Sequence, residues 1–126
     1  MLRSSGISKL NFSQLIPKYG NRKVTNEDGT FDSVKEFSRW QELKLMERAG
    51  EIYELRRQVP YVLIPAQRDE NGKLIEREVK YIADFTYRER CGNRLVVEDT
   101  KGLKTREYIL KRKMMLYRHG IRIQEV

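Results

Sequence analysis

The stretch YIADFTYRERCGNRLVVED, residues 81–99, has the pattern of two β-strands joined by a tight turn. Its first part alternates aromatic and apolar residues with polar ones, Arg90-Cys91-Gly92-Asn93 has the composition of a turn, and Leu95-Val96-Val97 is apolar and largely β-branched. Because so short a turn can join only antiparallel neighbours, the two strands should pair directly. The stretch therefore predicts an antiparallel hairpin at the centre of the fold.

A further strand precedes this hairpin. The run from Gln58 to Pro65 is rich in β-branched and aromatic residues, and Asp69-Glu70-Asn71-Gly72 has turn composition. The return strand then begins at Lys73 or Leu74 and continues to Tyr87. With the short strand Arg94–Asp99, the sequence predicts a three-stranded antiparallel meander.

Two helices flank the predicted meander. Ser33 followed by Glu36 is a capping-box pattern that opens a helix to about Ala49, and Gly50 ends it. Glu36 falls near the middle of that helix's apolar arc, which consists of Phe37, Trp40, Leu43 and Met46. After Gly102 a basic, amphipathic pattern predicts a second helix that ends at Gly120.

The last six residues, Ile121–Val126, alternate and predict a final strand. The expected fold class is therefore α/β, with a helix, a three-stranded antiparallel meander, a basic helix and a final strand in that order. Residues 1–30 have cationic and small polar residues without a sustained apolar period. They are predicted to form a basic, largely irregular N-terminal arm, with the domain itself in residues 31–126.

Composition narrows the possible functions. At 126 residues the chain fits one domain, and its single cysteine excludes an internal disulfide and a cysteine-rich zinc site. No apolar run approaches the roughly 20 residues of a membrane span, and no signal-peptide pattern is present, so we expect a soluble, cytoplasmic protein. The 26 Lys and Arg against 18 Asp and Glu give a net charge of +8, which favours a polyanionic partner, above all nucleic acid.

Acidic residues at the ends of the two central strands indicate a metal site. Neighbouring strands lie about 4.8 Å apart, so Asp84 and Asp99 should approach closely enough to hold one divalent cation. Strand alternation places Lys101 on the face of Asp99, where it can orient or help to deprotonate an attacking water. Glu36 is a candidate further ligand. Two other interpretations stay open: Glu36 can serve the capping box alone, and the other three residues can form a cross-strand ion-pair cluster.

This arrangement resembles the PD-(D/E)xK nuclease superfamily. More closely, residues 19–126 are similar to a small phage-encoded family within it. The similarity lies in Tyr19-Gly20-Asn21-Arg22-Lys23, Phe31-Asp32-Ser33, Leu43-Lys44-Leu45, Gly50-Glu51-Ile52, Tyr81-Ile82-Ala83-Asp84-Phe85 and Val97-Glu98-Asp99-Thr100-Lys101-Gly102. The sequence departs from the superfamily pattern at Ala83, where a proline is usual. Glu98 and Asp99 both offer a carboxylate, and only Asp99 has the motif spacing to Lys101.

The resemblance implies a restriction-endonuclease-like core and a Mg²⁺-dependent endodeoxyribonuclease, with Mn²⁺ able to substitute. It further implies a homodimer that resolves Holliday junctions during DNA recombination, encoded by a phage or prophage and acting in the bacterial cytoplasm. The alternatives are a flap or linear-duplex nuclease of phage replication or packaging and a noncatalytic nucleic-acid-binding protein on the same fold. The expected DNA contacts are Arg22, Lys23, Lys104, Arg106, Lys111, Arg112, Lys113 and Arg118.

Overall fold

The computed structural model describes residues 22–126, which form a mixed α/β structure with two helices and a mostly antiparallel main sheet. The described residues divide into two compact units, with the boundary between Gln41 and Glu42. Helix α1, Val34–Arg48, begins in the first unit and ends in the second. The coarse α/β prediction is confirmed. Neither described helix is long and apolar enough to cross a membrane.

The first unit contains a small hairpin formed by strands β1, Val24–Asn26, and β2, Gly29–Phe31. Phe31 is fully buried, and its ring lies 5.2 Å from that of Phe37 and 6.2 Å from that of Trp40. The arm predicted over residues 1–30 is therefore not irregular throughout, because Phe31 anchors this hairpin on aromatic residues of α1. Residues 1–21 of the predicted arm lie outside the described residues.

Helix α1 has the predicted ends. The Ser33 hydroxyl accepts the Glu36 backbone N–H at 3.0 Å, and Glu36 in turn accepts the Asp32 N–H at 3.2 Å. At the other end, the Glu51 N–H donates to the Met46 carbonyl and Gly50 has a φ of 82°. This is a Schellman end, which requires a left-handed residue that glycine adopts without strain.

The main sheet belongs to the second unit and has the order β3-β6-β7-β8. Its first three strands, β3 (Ile52–Ile64), β6 (Val79–Glu89) and β7 (Leu95–Asp99), form the predicted antiparallel meander. Strand β8, Gln124–Glu125, is shorter than predicted and pairs with β7 in parallel. Strand β3 starts six residues before Gln58, because as an edge strand it accommodates charged residues and irregular pairing.

The predicted turn at residues 69–72 lies in a separate two-stranded hairpin of β4, Gln67–Arg68, and β5, Leu74–Glu76. The Asp69 carboxylate accepts the N–H groups of Asn71 and Lys73, both at 2.9 Å. The long return strand of the prediction is therefore interrupted between β5 and β6. The main sheet resumes at Val79.

Helix α2, Arg106–His119, follows β7 as predicted. Thr105 caps its N-terminus by accepting the Tyr108 N–H at 3.1 Å, and Gly120 ends it with a φ of 67°. Tyr108 and Met115 of α2 are buried against the sheet. They form the core of the second unit together with Leu63, Tyr81, Ala83, Val97 and Ile123.

Candidate functional site

The hairpin of β6 and β7 brings Asp84 and Asp99 together. Phe85 pairs with Glu98 in this hairpin, so Asp84 and Asp99 occupy the next position beyond that pair. Burial is the main cause that raises the pKa of Asp99, and the negative charge of Asp84 adds to that rise. Asp84 and Asp99 are therefore cross-strand neighbours in the second unit, and their joint binding of a cation stays a prediction.

The Asp84 carboxylate is held by Thr100, directly after β7. Asp84 Oδ2 accepts both the Thr100 backbone N–H and the Thr100 hydroxyl, each at 2.8 Å. Asp84 is half-buried. Two short hydrogen bonds to one oxygen fix the orientation of the carboxylate and leave Asp84 Oδ1 as the oxygen available to another ligand.

Asp99 is only 1% exposed. Its Oδ2 accepts the Tyr81 hydroxyl at 2.5 Å, and the Lys101 ammonium lies 3.8 Å from Oδ1. Burial raises the pKa of Asp99, although the bond from Tyr81 and the charge of Lys101 oppose that rise. Asp99 Oδ1 is buried and accepts no hydrogen bond from the described residues. A buried carboxylate oxygen in that state is suited to bind a cation.

Glu98, the other carboxylate of β7, has different surroundings. It is fully buried and accepts the hydroxyl of Tyr87. Asp99 instead accepts the hydroxyl of Tyr81 and lies beside Lys101. The two neighbouring acids therefore bind separate tyrosines, and the structure pairs Lys101 with Asp99.

Glu36 lies in the first unit, where its carboxylate completes the cap of α1. Its side chain is 2% exposed. The cap bond involves one oxygen of the Glu36 carboxylate. The role of Glu36 as a third metal ligand stays a prediction.

The predicted DNA-binding residues fall into two groups. Lys104 and Arg112 surround Glu125, with contacts of 2.9 Å and 3.1 Å to its carboxylate, and Lys111 pairs with Glu107 at 3.1 Å. Arg22, Lys23, Arg106, Lys113 and Arg118 are exposed to solvent and form the second group, and Lys104 of the first group is exposed as well. Arg22 and Lys23 belong to the first unit and the others to the second.

Glu125 organises the first of these groups. Its carboxylate also accepts the Tyr108 hydroxyl at 2.7 Å. The hydrogen bonds from Lys104 and Tyr108 lower the pKa of Glu125 to about 2. Lys104 and Arg112 are therefore held in place by a carboxylate that stays ionised across the physiological range.

A cleft of about 430 Å³ adjoins the Asp99–Lys101 pair. Lys101 lies 5.1 Å from the centre of the Tyr108 ring at one side of this cleft. The lining comprises three lysines, one acid, one threonine, one isoleucine and two tyrosines: Lys80, Lys101, Lys111, Glu107, Thr105, Ile82, Tyr81 and Tyr108. Cations thus outnumber acids beside the carboxylates.

Asp84 and Asp99 offer carboxylate oxygens, which are the ligand type that magnesium prefers. Among residues 22–126, no group of three or more Asp, Glu, His or Cys side chains is arranged to hold a metal. Magnesium is often bound by only one or two carboxylates, with water and substrate phosphate completing its coordination. Asp84 and the unbonded Oδ1 of Asp99 supply two hard oxygen donors of this kind.

The sequence patterns did not single out three residues that shape the site: Tyr81, Thr100 and Glu125. Tyr81 and Asp99 are 18 positions apart, and Thr100 and Asp84 are 16 apart. Extending the hairpin register past Phe85 and Glu98 would have placed Thr100 near Asp84. No sequence signal indicated Glu125 as the partner of Lys104, just before α2, and of Tyr108 and Arg112 on α2.

One protein family matches this chain over residues 16–124, and it is described as a protein of unknown function (DUF1064). The match covers most of the sequence, so the chain belongs to that family. No curated protein and no solved structure shows significant similarity to it.

Proposed function

We propose that this member of the DUF1064 family is a metal-dependent DNA endonuclease of the PD-(D/E)xK type, with a restriction-endonuclease-like core. The observation that carries the proposal is the meeting of Asp84 and Asp99 at one end of the β6–β7 hairpin, with Lys101 paired to Asp99. A buried carboxylate oxygen without a hydrogen bond is costly unless a cation binds it. The basic residues around the hairpin supply the attraction to a polyanion.

Each residue has a distinct role in this proposal. Asp84 and Asp99 would hold Mg²⁺, and Glu36 as a third ligand is a prediction from the sequence. When bound, Mg²⁺ stabilises the negative charge that develops on the phosphodiester during hydrolysis. The Lys101 ammonium would orient the attacking water, while Tyr81 and Thr100 hold the two carboxylates in position.

The first substrate to test is branched DNA such as a Holliday junction, because the resemblance of the sequence points there. Two symmetric cuts require two active sites, so we propose a homodimer. Flaps and linear duplex are the substrates of the alternative nuclease. The other alternative is a protein that binds nucleic acid without cleaving it. In that case Asp84, Asp99 and Lys101 would form only an ion-pair cluster.

The decisive experiment compares Asp84→Asn and Asp99→Asn with Glu98→Gln on junction, flap, duplex and single-stranded DNA, with Mg²⁺ or with chelator. We expect either asparagine variant to lose cleavage by at least about a hundredfold, while DNA binding in chelator is unchanged or tighter because repulsion of phosphate falls. Glu98→Gln is the matched control within β7. Activity within tenfold of wild type in both asparagine variants would contradict the proposed site.

Lys101→Ala separates catalysis from binding. A group that acts on the attacking water or on transition-state charge contributes little to ground-state affinity. We therefore expect the single-turnover cleavage rate to fall by roughly a hundredfold, with less than about a threefold change in DNA affinity. Equal losses in rate and affinity would make Lys101 a simple phosphate contact.

A further inference from the structure

A groove runs between strand β6 and helix α2 beside the carboxylate pair. It consists of two neighbouring clefts of about 430 and 400 Å³, which share Lys80, Glu107 and Lys111 in their walls. Lys101 lies in the first cleft only. We call the two clefts together the lysine groove. Tyr81 and Lys101, which both contact Asp99, line its first cleft, and the second cleft continues along α2.

Cations dominate the first cleft of this groove. Lys80, Lys101 and Lys111 face a single acid, Glu107, whose side chain is 77% exposed and pairs with Lys111. Lys80 forms a long ion pair, 3.8 Å from Glu78, an acid that lines the second cleft. The first turn of α2 also contributes Thr105 and Glu107 to the wall, and the N-terminus of a 14-residue helix favours anions. The local field therefore favours phosphate.

Apolar side chains lie beside these lysines. Ile82 lines the first cleft and is 45% exposed, although it belongs to the main sheet. Leu110, which is 59% exposed, lines the second cleft together with Val79 and Met114. A paired duplex presents phosphates and groove edges, whereas an unpaired strand also presents the apolar faces of its bases. The combination of lysines and apolar walls therefore suits a single strand better than a duplex.

We propose that the lysine groove binds an unpaired DNA strand that leads away from the scissile phosphate, with phosphates on Lys80 and Lys111 and a base against Leu110 or Ile82. This inference rests on the proposed nuclease function. It narrows the substrate to DNA in which a single strand leaves the duplex next to the cut.

The test measures fluorescence anisotropy in chelator, where no cleavage is needed. The probes are an oligothymidylate, a blunt duplex and a duplex with a single-stranded tail. Lys80→Ala/Lys111→Ala should weaken binding of the oligothymidylate and the tailed duplex by roughly tenfold, with less than about a twofold effect on the blunt duplex. For the single strand, the slope of log affinity against log salt concentration should become shallower by about 0.7 for each phosphate contact that is lost.

Two matched controls accompany this variant. Lys35→Ala/Lys73→Ala removes the same charge from exposed positions outside the groove and should leave the single-strand affinity within about twofold of wild type. Leu110→Ala should weaken single-strand binding, whereas Leu116→Ala, half-exposed on the same helix, should not. If the alanine pair does not fold, Lys80→Gln/Lys111→Gln replaces it.

Equal weakening for blunt and single-stranded DNA, or an equal effect of the control pair, would overturn the groove assignment. So would an unchanged single-strand affinity in the lysine variant. Mg²⁺-dependent cleavage of the same tailed duplex by wild-type protein reports the proposed function separately. If the wild-type protein binds single strands through the groove but cuts no DNA, the proposed nuclease function is wrong. If the wild-type protein cuts DNA and the lysine variant binds single strands as tightly as wild type, only the groove assignment is wrong.

Discussion

Adjacent acidic residues of β7 show how strongly the tertiary surroundings of a single residue decide its chemistry. Glu98 and Asp99 are both buried, but each accepts a hydrogen bond from a different tyrosine of β6. Asp99 Oδ1 is buried, accepts no hydrogen bond from the described residues and lies beside Lys101. The proposed reactivity therefore belongs to one of two chemically similar neighbours.

Glu125 gives a prediction about stability at the scale of one residue. Its folded-state pKa is lowered from 4.5 to about 2, so its ionised form stabilises the fold above pH 4.5, and that contribution is lost as the pH falls through about 2. Glu125→Gln should lower the free energy of unfolding at pH 7 by roughly 1–2 kcal/mol. Denaturant unfolding from pH 7 down to pH 2 measures this difference.

The difference between Glu125→Gln and wild type should shrink as the pH decreases and vanish near pH 2. Glu70→Gln, in the exposed turn of the β4–β5 hairpin, is a control for the loss of one negative charge. A stability difference that stays constant with pH would show that Glu125 acts through packing and not through its charge.

At the scale of elements, the N-terminus of α1 combines a structural role with a candidate catalytic one. Ser33 and Glu36 form reciprocal cap bonds, and Glu36 is also the candidate third metal ligand. Glutamine keeps an oxygen that can accept the Asp32 N–H, whereas alanine at position 33 removes the cap acceptor. The two roles can therefore be separated by two substitutions in one turn.

Glu36→Gln should leave the melting temperature nearly unchanged and reduce Mg²⁺-dependent cleavage by tenfold or more, because a ligand charge is lost. Ser33→Ala should instead cost about 1 kcal/mol of stability with nearly normal cleavage below the melting transition. Thermal denaturation and cleavage are measured on both proteins. Normal cleavage by Glu36→Gln would contradict a metal-ligand role for Glu36 and would show that its function is to cap α1.

For the whole molecule, the net charge of +8 predicts DNA binding that weakens steeply with salt. Residues 1–17 contribute Arg3 and Lys9 and no acidic residue. Their composition has too few periodic apolar residues to offset the entropy of ordering. We therefore expect deletion of residues 1–17 to preserve the melting temperature and to weaken binding of branched DNA, most clearly at high salt.

Analytical ultracentrifugation of the truncated and full-length proteins is the companion measurement. A homodimer should be retained after truncation if its interface lies within residues 18–126. Loss of the dimer, or a large fall in melting temperature, would contradict the predicted arm. It would indicate that these residues exchange between subunits, which is a common route to a dimer.

The features that depend on residues close together in the chain could be predicted from the sequence. Both helix ends, the Asp69–Gly72 turn and the antiparallel order of β3, β6 and β7 follow from local hydrogen bonding and short connections. The same local rule brought Asp84 close to Asp99, because a hairpin fixes the register of its two strands. A pattern within a few residues is sufficient for such predictions.

The side chains around the carboxylates and the positions of the clustered cations could not be predicted from the sequence and became known from the three-dimensional structure. Tyr81 donates a hydrogen bond to Asp99, and Glu125 binds Lys104 and Arg112. Lys80 and Lys111 both line the lysine groove. These contacts join residues at least 13 positions apart in the chain, and the parallel pairing of β8 with β7, across α2, arises in the same way. Packing between distant elements sets such contacts, since side-chain type and spacing leave many partners equally possible.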